Sequence, residues 1–305
     1  MPRANAPRPH NDAIVAQFVL PVSGVAVALR QPTGAEDLLL TEHRVDDPAL
    51  ALALAERLGR TDPALDWAEL PVADIDTLIV RLRQAIVGDR VIAEVTCANA
   101  SCGQRVDLPF GIDAYLDHHR PSRRGSSRRG WSAENTTDAP GWFVLHAAAA
   151  DGIDARKAQR AGKTKRTGDD VPIEADAVQF RLPTLADQIA VYGLPDAVAA
   201  LAARCIRPGT LSGRTRARVE AAMAALAPPL AGPLQGPCPH CASPIAARFE
   251  ARLYCLQELR DRARFIFDDI DALAERYHWS ERAILTLPHL RRTSYVERAR
   301  RARLG

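Results

Sequence analysis

The chain has 305 residues, 47% of them hydrophobic and 25% charged, and a formal net charge of +3. That length fits about two domains, the composition is globular and neither collagenous nor disordered, and so small a net charge argues against a dedicated nucleic-acid binder. No run of about 18 apolar residues reads as a membrane span, and the polar, proline-containing start lacks the apolar core of an export signal.

The expected compartment is therefore the cytoplasm, where thiols stay reduced and close cysteine pairs read as metal ligands or redox centres before they read as disulfides. Aromatics make up only 5%, and Ala, Leu and Arg are abundant. A core built from them is aliphatic and helix-rich, because these side chains lose little rotamer freedom in a helix.

In chain order, the alternating Val25, Val27 and Leu29 predict a half-buried strand. Pro32 ends it, because proline has no N–H for the ladder. Thr33 comes next as a helix N-cap, with Glu36 and Asp37 in a first turn that favours carboxylates. Leu50, Leu52, Leu54 and Leu58 mark one helix, and Ile75, Leu78, Ile79, Leu82 and Ile86 a second with i, i+3, i+4, i+7 spacing. Cys97 and Cys102 come next, then the alternation Val106 to Phe110. Residues 119–141 hold an arginine run with little to bury and read as a disordered linker.

After the linker the same order returns. Phe143-Val144-Leu145 matches Phe18-Val19-Leu20, and Val178 to Thr184 matches Val27 to Thr33, again with an acidic helix start at Asp187. Residues 150–175 read as a long loop between the two strands of this copy. Helical stripes at Val198, Leu201, Cys205 and Ile206, and at Val219, Met223 and Leu226, lead to Cys238 and Cys241 and a strand-like Ile245 to Phe249. Cys205 lies on an apolar stripe and reads as a buried thiol. A long helical pattern then runs to Tyr277. Ser280 is an N-cap for a short helix, and Pro288 opens a final basic helix.

The reading is an α+β protein, mainly helical. It has a first strand–helix–knuckle unit (1–118), the linker (119–141), a second such unit (142–250) and a C-terminal helical docking unit (251–305). The two units would share a zinc-ribbon-like centre.

Cys97, Cys102, Cys238 and Cys241 have spacings suited to structural zinc. Four thiolates would leave no open position for water, so one shared four-cysteine site would be structural; two separate sites, or none, is the other arrangement. Cys238-Pro239-His240-Cys241 also matches a thioredoxin-like motif, but Pro244 argues against the helix that motif needs. Pro237-Cys238-x-x-Cys241 is shared with zinc deaminases, whose His-x-Glu does not occur in this chain. Phosphate-loop, nucleophile-elbow and His-Glu-x-x-His motifs do not occur either, and no catalytic residue is assigned.

Leu273-Ala274-Glu275-Arg276-Tyr277-His278-Trp279-Ser280-Glu281-Arg282-Ala283-Ile284-Leu285-Thr286-Leu287-Pro288, then Arg291-Arg292 and Tyr295, resembles a signature of the T-even bacteriophage baseplate protein family. So do Leu20-Pro21-Val22-Ser23-Gly24, Leu29-Arg30-x-Pro32-Thr33-Gly34 and the paired cysteine knuckles. These proteins are hub or hub-assembly components of contractile tails and injection systems. The resemblance implies a structural or chaperone-like role, other baseplate or tail proteins as partners, and neither a small-molecule substrate nor a membrane. Residues Tyr277, Trp279, Arg291, Arg292 and Tyr295 are the expected partner-binding group, since aromatics and arginine anchor interfaces. The competing reading is a nucleic-acid-binding zinc-ribbon protein using the arginine runs.

Overall fold

The computed structural model describes residues 13–122, 131–135, 141–147, 178–209 and 211–304. The chain is an α+β protein, roughly half helical, with small antiparallel sheets and a cysteine cluster. It divides into two compact units, one of residues 1–119 with 230–305, the other of residues 120–229.

In the first unit, β1 (Ile14–Val19) and β2 (Ala26–Arg30) form an antiparallel hairpin. Its turn holds Gly24 at φ +75°, a backbone conformation that suits glycine. The turn is tied down from outside: Asp74 accepts from the backbone N–H groups of Val22 and Ser23, both at 2.8 Å. Helix α1 (Gly34–Glu42) opens with a capping box, in which Thr33 and Glu36 satisfy each other's orphan amides. Helix α2 (Pro48–Leu58) is capped by Asp47 and leads into β3 (Gly59–Arg60), which pairs with β2. A 3₁₀ turn (Trp67–Glu69) precedes α3 (Val72–Val87). Then come the hairpin β4 (Arg90–Thr96) and β5 (Arg105–Gly111), and the short α4 (Ile112–His118).

The second unit contains β6 (Trp131–Asn135), β7 (Trp142–Ala147) and β8 (Gln179–Arg181). After them come α5 (Leu185–Val191), α6 (Ala197–Cys205), β9 (Ile206–Arg207) and α7 (Gly213–Leu226). The four strands form one antiparallel sheet in chain order. The core gathers Leu145, Val178, Phe180, Cys205, Ile206, Val219 and Ala222. Thr184 and Asp187 form a capping box like that of Thr33 and Glu36. The neighbouring arginine contacts match as well: Arg30 pairs with Glu36 at 2.7 Å, and Arg181 donates to Asp187, one of its bonds measuring 2.7 Å.

The chain returns to the first unit with the hairpin β10 (Ala231–Pro237) and β11 (Pro244–Glu250), then α8 (Ala251–Ala263), α9 (Ile266–Tyr277), α10 (Glu281–Leu285) and α11 (His289–Leu304). Helix α8 packs on α1 and α3 through its buried Leu256 and Leu259. The buried Arg83 of α3 pins it further by donating to Glu258 at 2.5 Å.

Three sequence expectations differ from this. The C-terminal helices are not a separate 251–305 unit: their apolar faces are the other half of the first unit's core. The second knuckle belongs with that unit too, not with residues 142–229. Within 119–141, Trp131–Asn135 is a strand paired to β7, so that stretch is not simply a linker. Residues 123–130, 136–140 and the whole 150–175 loop lie outside the described residues.

The long helical pattern is also two helices, broken at Arg264 and Phe265. The stripe of α8 faces α1 and α3, whereas α9 packs on α10 and α11, so one straight rod could not bury both.

Candidate metal centre

Each cysteine pair sits in the turn of a two-stranded hairpin. In the first turn the Cys97 N–H donates to Gln104 O (2.9 Å), and Cys102 and Gly103 donate to Asn99 O (2.8 and 3.0 Å). In the second, Cys238 N–H donates to Ser243 O and Ala242 N–H to Cys238 O, both 2.8 Å. A left-handed residue comes after the second cysteine of each pair, Gly103 at φ +58° and Ala242 at +59°. These turns point the sulfurs off the hairpin tips, and contact between β11 and β4 brings the tips together.

All four sulfurs lie within 4.8 Å of one another. Cys97 Sγ is 3.6 Å from Cys241 Sγ, and Cys102 Sγ is 3.9 Å from Cys238 Sγ. A tetrahedral zinc with Zn–S bonds of about 2.3 Å needs sulfur separations of about 3.8 Å. Each close contact joins a sulfur of one hairpin to a sulfur of the other. The four cysteines are reduced, and the donor set fits a soft, tetrahedral cation.

Cys97 and Cys238 are buried, Cys102 is half-buried and Cys241 is exposed. Val95, Val106, Leu108 and Ile245 pack around the sulfurs and keep one side of the cluster dry. The Ser243 hydroxyl and N–H hold the Cys241 thiol down at about 6. At Cys97 the Asn99 N–H also favours the thiolate, but burial and the neighbouring thiols outweigh it and push the group up to about 12. Crowded thiols cannot all ionise without a cation between them. Among the described residues no other cluster of His, Cys, Asp or Glu has this geometry, and His240 is exposed on its turn.

One residue at the centre gave no signal at the level of sequence. Asn99 Nδ2 donates to Ser243 Oγ at 2.9 Å and approaches Cys241 Sγ at 3.8 Å, so it bridges the two knuckles. Its Oδ1 accepts from Ser101 N–H at 3.0 Å, an ordinary Asx turn. Only that local role is visible in the sequence.

The five expected partner-binding residues are not one surface. Tyr277, Trp279 and Tyr295 pack on each other, with ring centroids 5.0–6.0 Å apart, and half-bury themselves over Leu273, Ile284 and Val296. Arg291 is exposed. Arg292 is a correction: it is 1% exposed and ion-paired to Asp37 and Asp269, so it has no guanidinium face to offer a partner. The other two cysteines, Cys205 and Cys255, are buried away from the cluster, and burial pushes their thiols up to about 11 and about 12.

No protein-family model, curated protein or solved structure matches this chain. Among the described residues no helix is long and apolar enough to cross a membrane.

Proposed function

We propose that this protein is a non-catalytic structural or assembly component of a contractile tail or injection-system baseplate, built around one structural zinc ion. The observation that carries the zinc reading is the sulfur quartet, with edges matching a tetrahedral thiolate site and no fifth ligand beside it among the described residues. Bound there, zinc would neutralise the crowded thiolates and lock two hairpins tip to tip, as in a zinc ribbon. A closed four-sulfur site leaves no position for an activated water.

The same element order runs twice, from β1 through α4 and from β7 through α8. Matching capping boxes and arginine contacts support a duplicated architecture whose two hairpins meet at the metal. The baseplate assignment rests on the resemblance of the Leu273–Pro288 segment and of the Leu20–Gly24 turn. In the structure the first builds the aromatic cluster and the second is anchored by Asp74.

Two experiments test the proposal. Metal analysis of purified protein should give close to one zinc per chain, lost in Cys97→Ser and in Cys238→Ser alike. Zinc retained when either pair is broken would refute a shared site. Deleting the protein from a host that makes contractile tails should leave tubes and sheaths without complete baseplates. Normal baseplates in its absence would refute the assembly role.

A further inference from the structure

The two units carry similar small sheets, but only one of them has its outer edge covered. In the second unit β7 lies inside its sheet, between β6 and β8, whereas β1, its counterpart, is the edge of the sheet β1-β2-β3. Leu29 and Phe180, the ladder partners of Ala16 and Phe143, align the two sheets. Residues 16–20 then correspond to residues 143–147, two positions away from the sequence match of Phe18 with Phe143. Strand β6 covers all of that stretch, from Trp131 opposite Ala147 to Asn135 opposite Phe143.

The hydrogen-bonding phase leaves the same stretch of β1 open. Leu20 N–H donates to Val25 O across the hairpin, and alternate residues of an antiparallel strand bond to opposite sides. Gln17 and Val19 therefore turn their N–H and C=O groups away from β2, and no hydrogen bond reaches these groups among the described residues. In the second unit Leu145 N–H donates to Val178 O, and the corresponding Val144 and His146 bond towards β6. Exposure follows the cover. Leu145, opposite Ala133, is 1% exposed, whereas its counterpart Phe18 is only half-buried. Val19 is 61% exposed, and Gln17 is exposed as well.

An open edge pairs with another strand unless charge or proline blocks it, and Ile14–Val19 has neither. Its irregularity against β2 lies at its start, between Ile14 and Ala16. Residues 1–12, just before β1, contain Pro2, Pro7 and Pro9, and proline brings no N–H to a ladder. The better complement is β1 itself. When two copies lie antiparallel about a two-fold axis at Phe18, residues 16–20 cover each other over the stretch that β6 covers on β7. Gln17 of each copy exchanges both backbone bonds with Val19 of the other. The two Phe18 side chains meet at the axis, in the closer, non-hydrogen-bonded kind of pair. The strand has no charge to repel its copy.

We propose that the outer edge of β1 is a homodimer interface, where two copies join antiparallel at Phe18 and two three-stranded sheets become one of six strands. Such a contact closes on itself, as two-fold interfaces do. The proposal rests on the correspondence between the two halves of the proposed duplicated architecture, but not on the metal.

The test is sedimentation of the full zinc-loaded protein under reducing conditions. Monomer should pass to dimer between about 1 and 200 µM, as suits a small interface. Gln17→Pro removes only an outward N–H, which an open edge tolerates. That donor is lost once from each copy, so the dimer should weaken about tenfold or more. Gln17→Thr keeps the N–H and should dimerise like wild type. Val19→Lys brings a charge from each copy beside the axis and should leave the protein monomeric. Amide exchange at Gln17 and Val19 should slow as concentration rises, while Phe18, bonded to β2 in either state, should not change.

A wild type that stays monomeric at every concentration would overturn the proposal and leave the edge to a strand of another protein. So would a dimer unchanged in the folded variants, or exchange at Gln17 and Val19 that ignores concentration. Should Gln17→Pro fail to fold, Val19→Lys decides alone. Zinc content measured on the same samples separates a failure here from a failure of the metal site.

Discussion

The Arg292 guanidinium donates to the carboxylate of Asp37, 255 positions earlier in the chain, and its Nε donates to Asp269 at 2.9 Å. One buried side chain thereby joins α1, α9 and α11. Around it the backbone closes as well: Gly34 N–H donates to Leu287 O at 3.0 Å, and Thr33 bridges to Pro288. Gly34 is small for this reason, since a Cβ there would lie 3.0 Å from both Arg292 Nη1 and Leu285 Cα. The basic C-terminal helix is thus locked into the first unit by the residue expected to face a partner.

Removing that residue leaves two carboxylates in the interior without their cation. Arg292→Ala is therefore expected to cost about 3–5 kcal/mol, the usual penalty for breaking a buried pair from one side. Arg291→Ala, one residue away and exposed, should change stability by about 0.5 kcal/mol or less. Chemical denaturation of the two variants measures the contrast, and equal effects would remove the structural role of Arg292.

The same lock carries a pH dependence. Burial alone would raise the Asp37 carboxyl, but the His289 hydrogen bond and the Arg292 charge outweigh it and hold the group below the ordinary carboxylate range. Asp187 in the second unit behaves likewise: burial opposes ionisation, and hydrogen bonds from Arg181, the Thr184 N–H and Arg204 overcome it. A carboxyl depressed in the folded state adds stability that is complete above its unfolded value, near about 3.9. That stability is lost as pH falls through the lower folded value. Stability should therefore drop on acidification from about pH 5 downward, and Asp187→Asn should flatten the drop for residues 178–226. Hydrogen exchange as a function of pH reads this region by region.

The two knuckles also differ at one backbone position. Gly103 and Ala242 occupy the same left-handed place after the second cysteine, yet only one is glycine. An L residue with a Cβ pays roughly 1–2 kcal/mol in that region. Ala242→Gly should relieve part of it and stabilise the zinc-loaded protein by about 1 kcal/mol, offset by the extra freedom of glycine when unfolded. Gly103→Ala should destabilise by a similar amount, since open space around it leaves backbone strain as the main cost. Thermal unfolding of both variants decides, and a destabilised Ala242→Gly would contradict the shared turn geometry.

What the sequence carried legibly was local. The N-caps Thr33, Thr184 and Ser280 form as their side-chain chemistry requires. The spacing of each cysteine pair suited a knuckle turn, which aims its thiols off the end of a hairpin, but left open whether the two pairs would meet; the four sulfurs do converge. The long-range choices were not legible. An arginine within the run Arg291-Arg292 looks like surface, and only Asp37 and Asp269 arriving from two other helices make it interior. Nor was it legible that α8 would end at Ala263 and pack on α1 while the short α4 packs on β5 and α3. Chain order placed the second knuckle with residues 142–229; packing against the first hairpin and α8 draws it elsewhere.

Zinc bound by the four cysteines would have a specific mechanical task. Cys102 and Cys238 are 136 positions apart, so a metal bound to both would close a loop containing every residue of the second unit. By analogy with a disulfide, closing a loop of that length restricts the unfolded chain by an amount on the order of 5 kcal/mol. Structural zinc in isolated peptides contributes on the order of 10 kcal/mol in all. Extracting zinc with a chelator under reducing conditions should thus loosen the joint between hairpins first. Hydrogen exchange should rise in 90–111 and 231–250 and leave the sheet and helices of 178–226 unchanged, since their core uses none of the four ligands. Cys205 and Cys255, with thiols raised by burial, should stay unmodified by an alkylating reagent at pH 8 while the four ligand cysteines become reactive. Uniform loosening of both units on chelation would mean the metal supports the whole chain and not the joint between its hairpins.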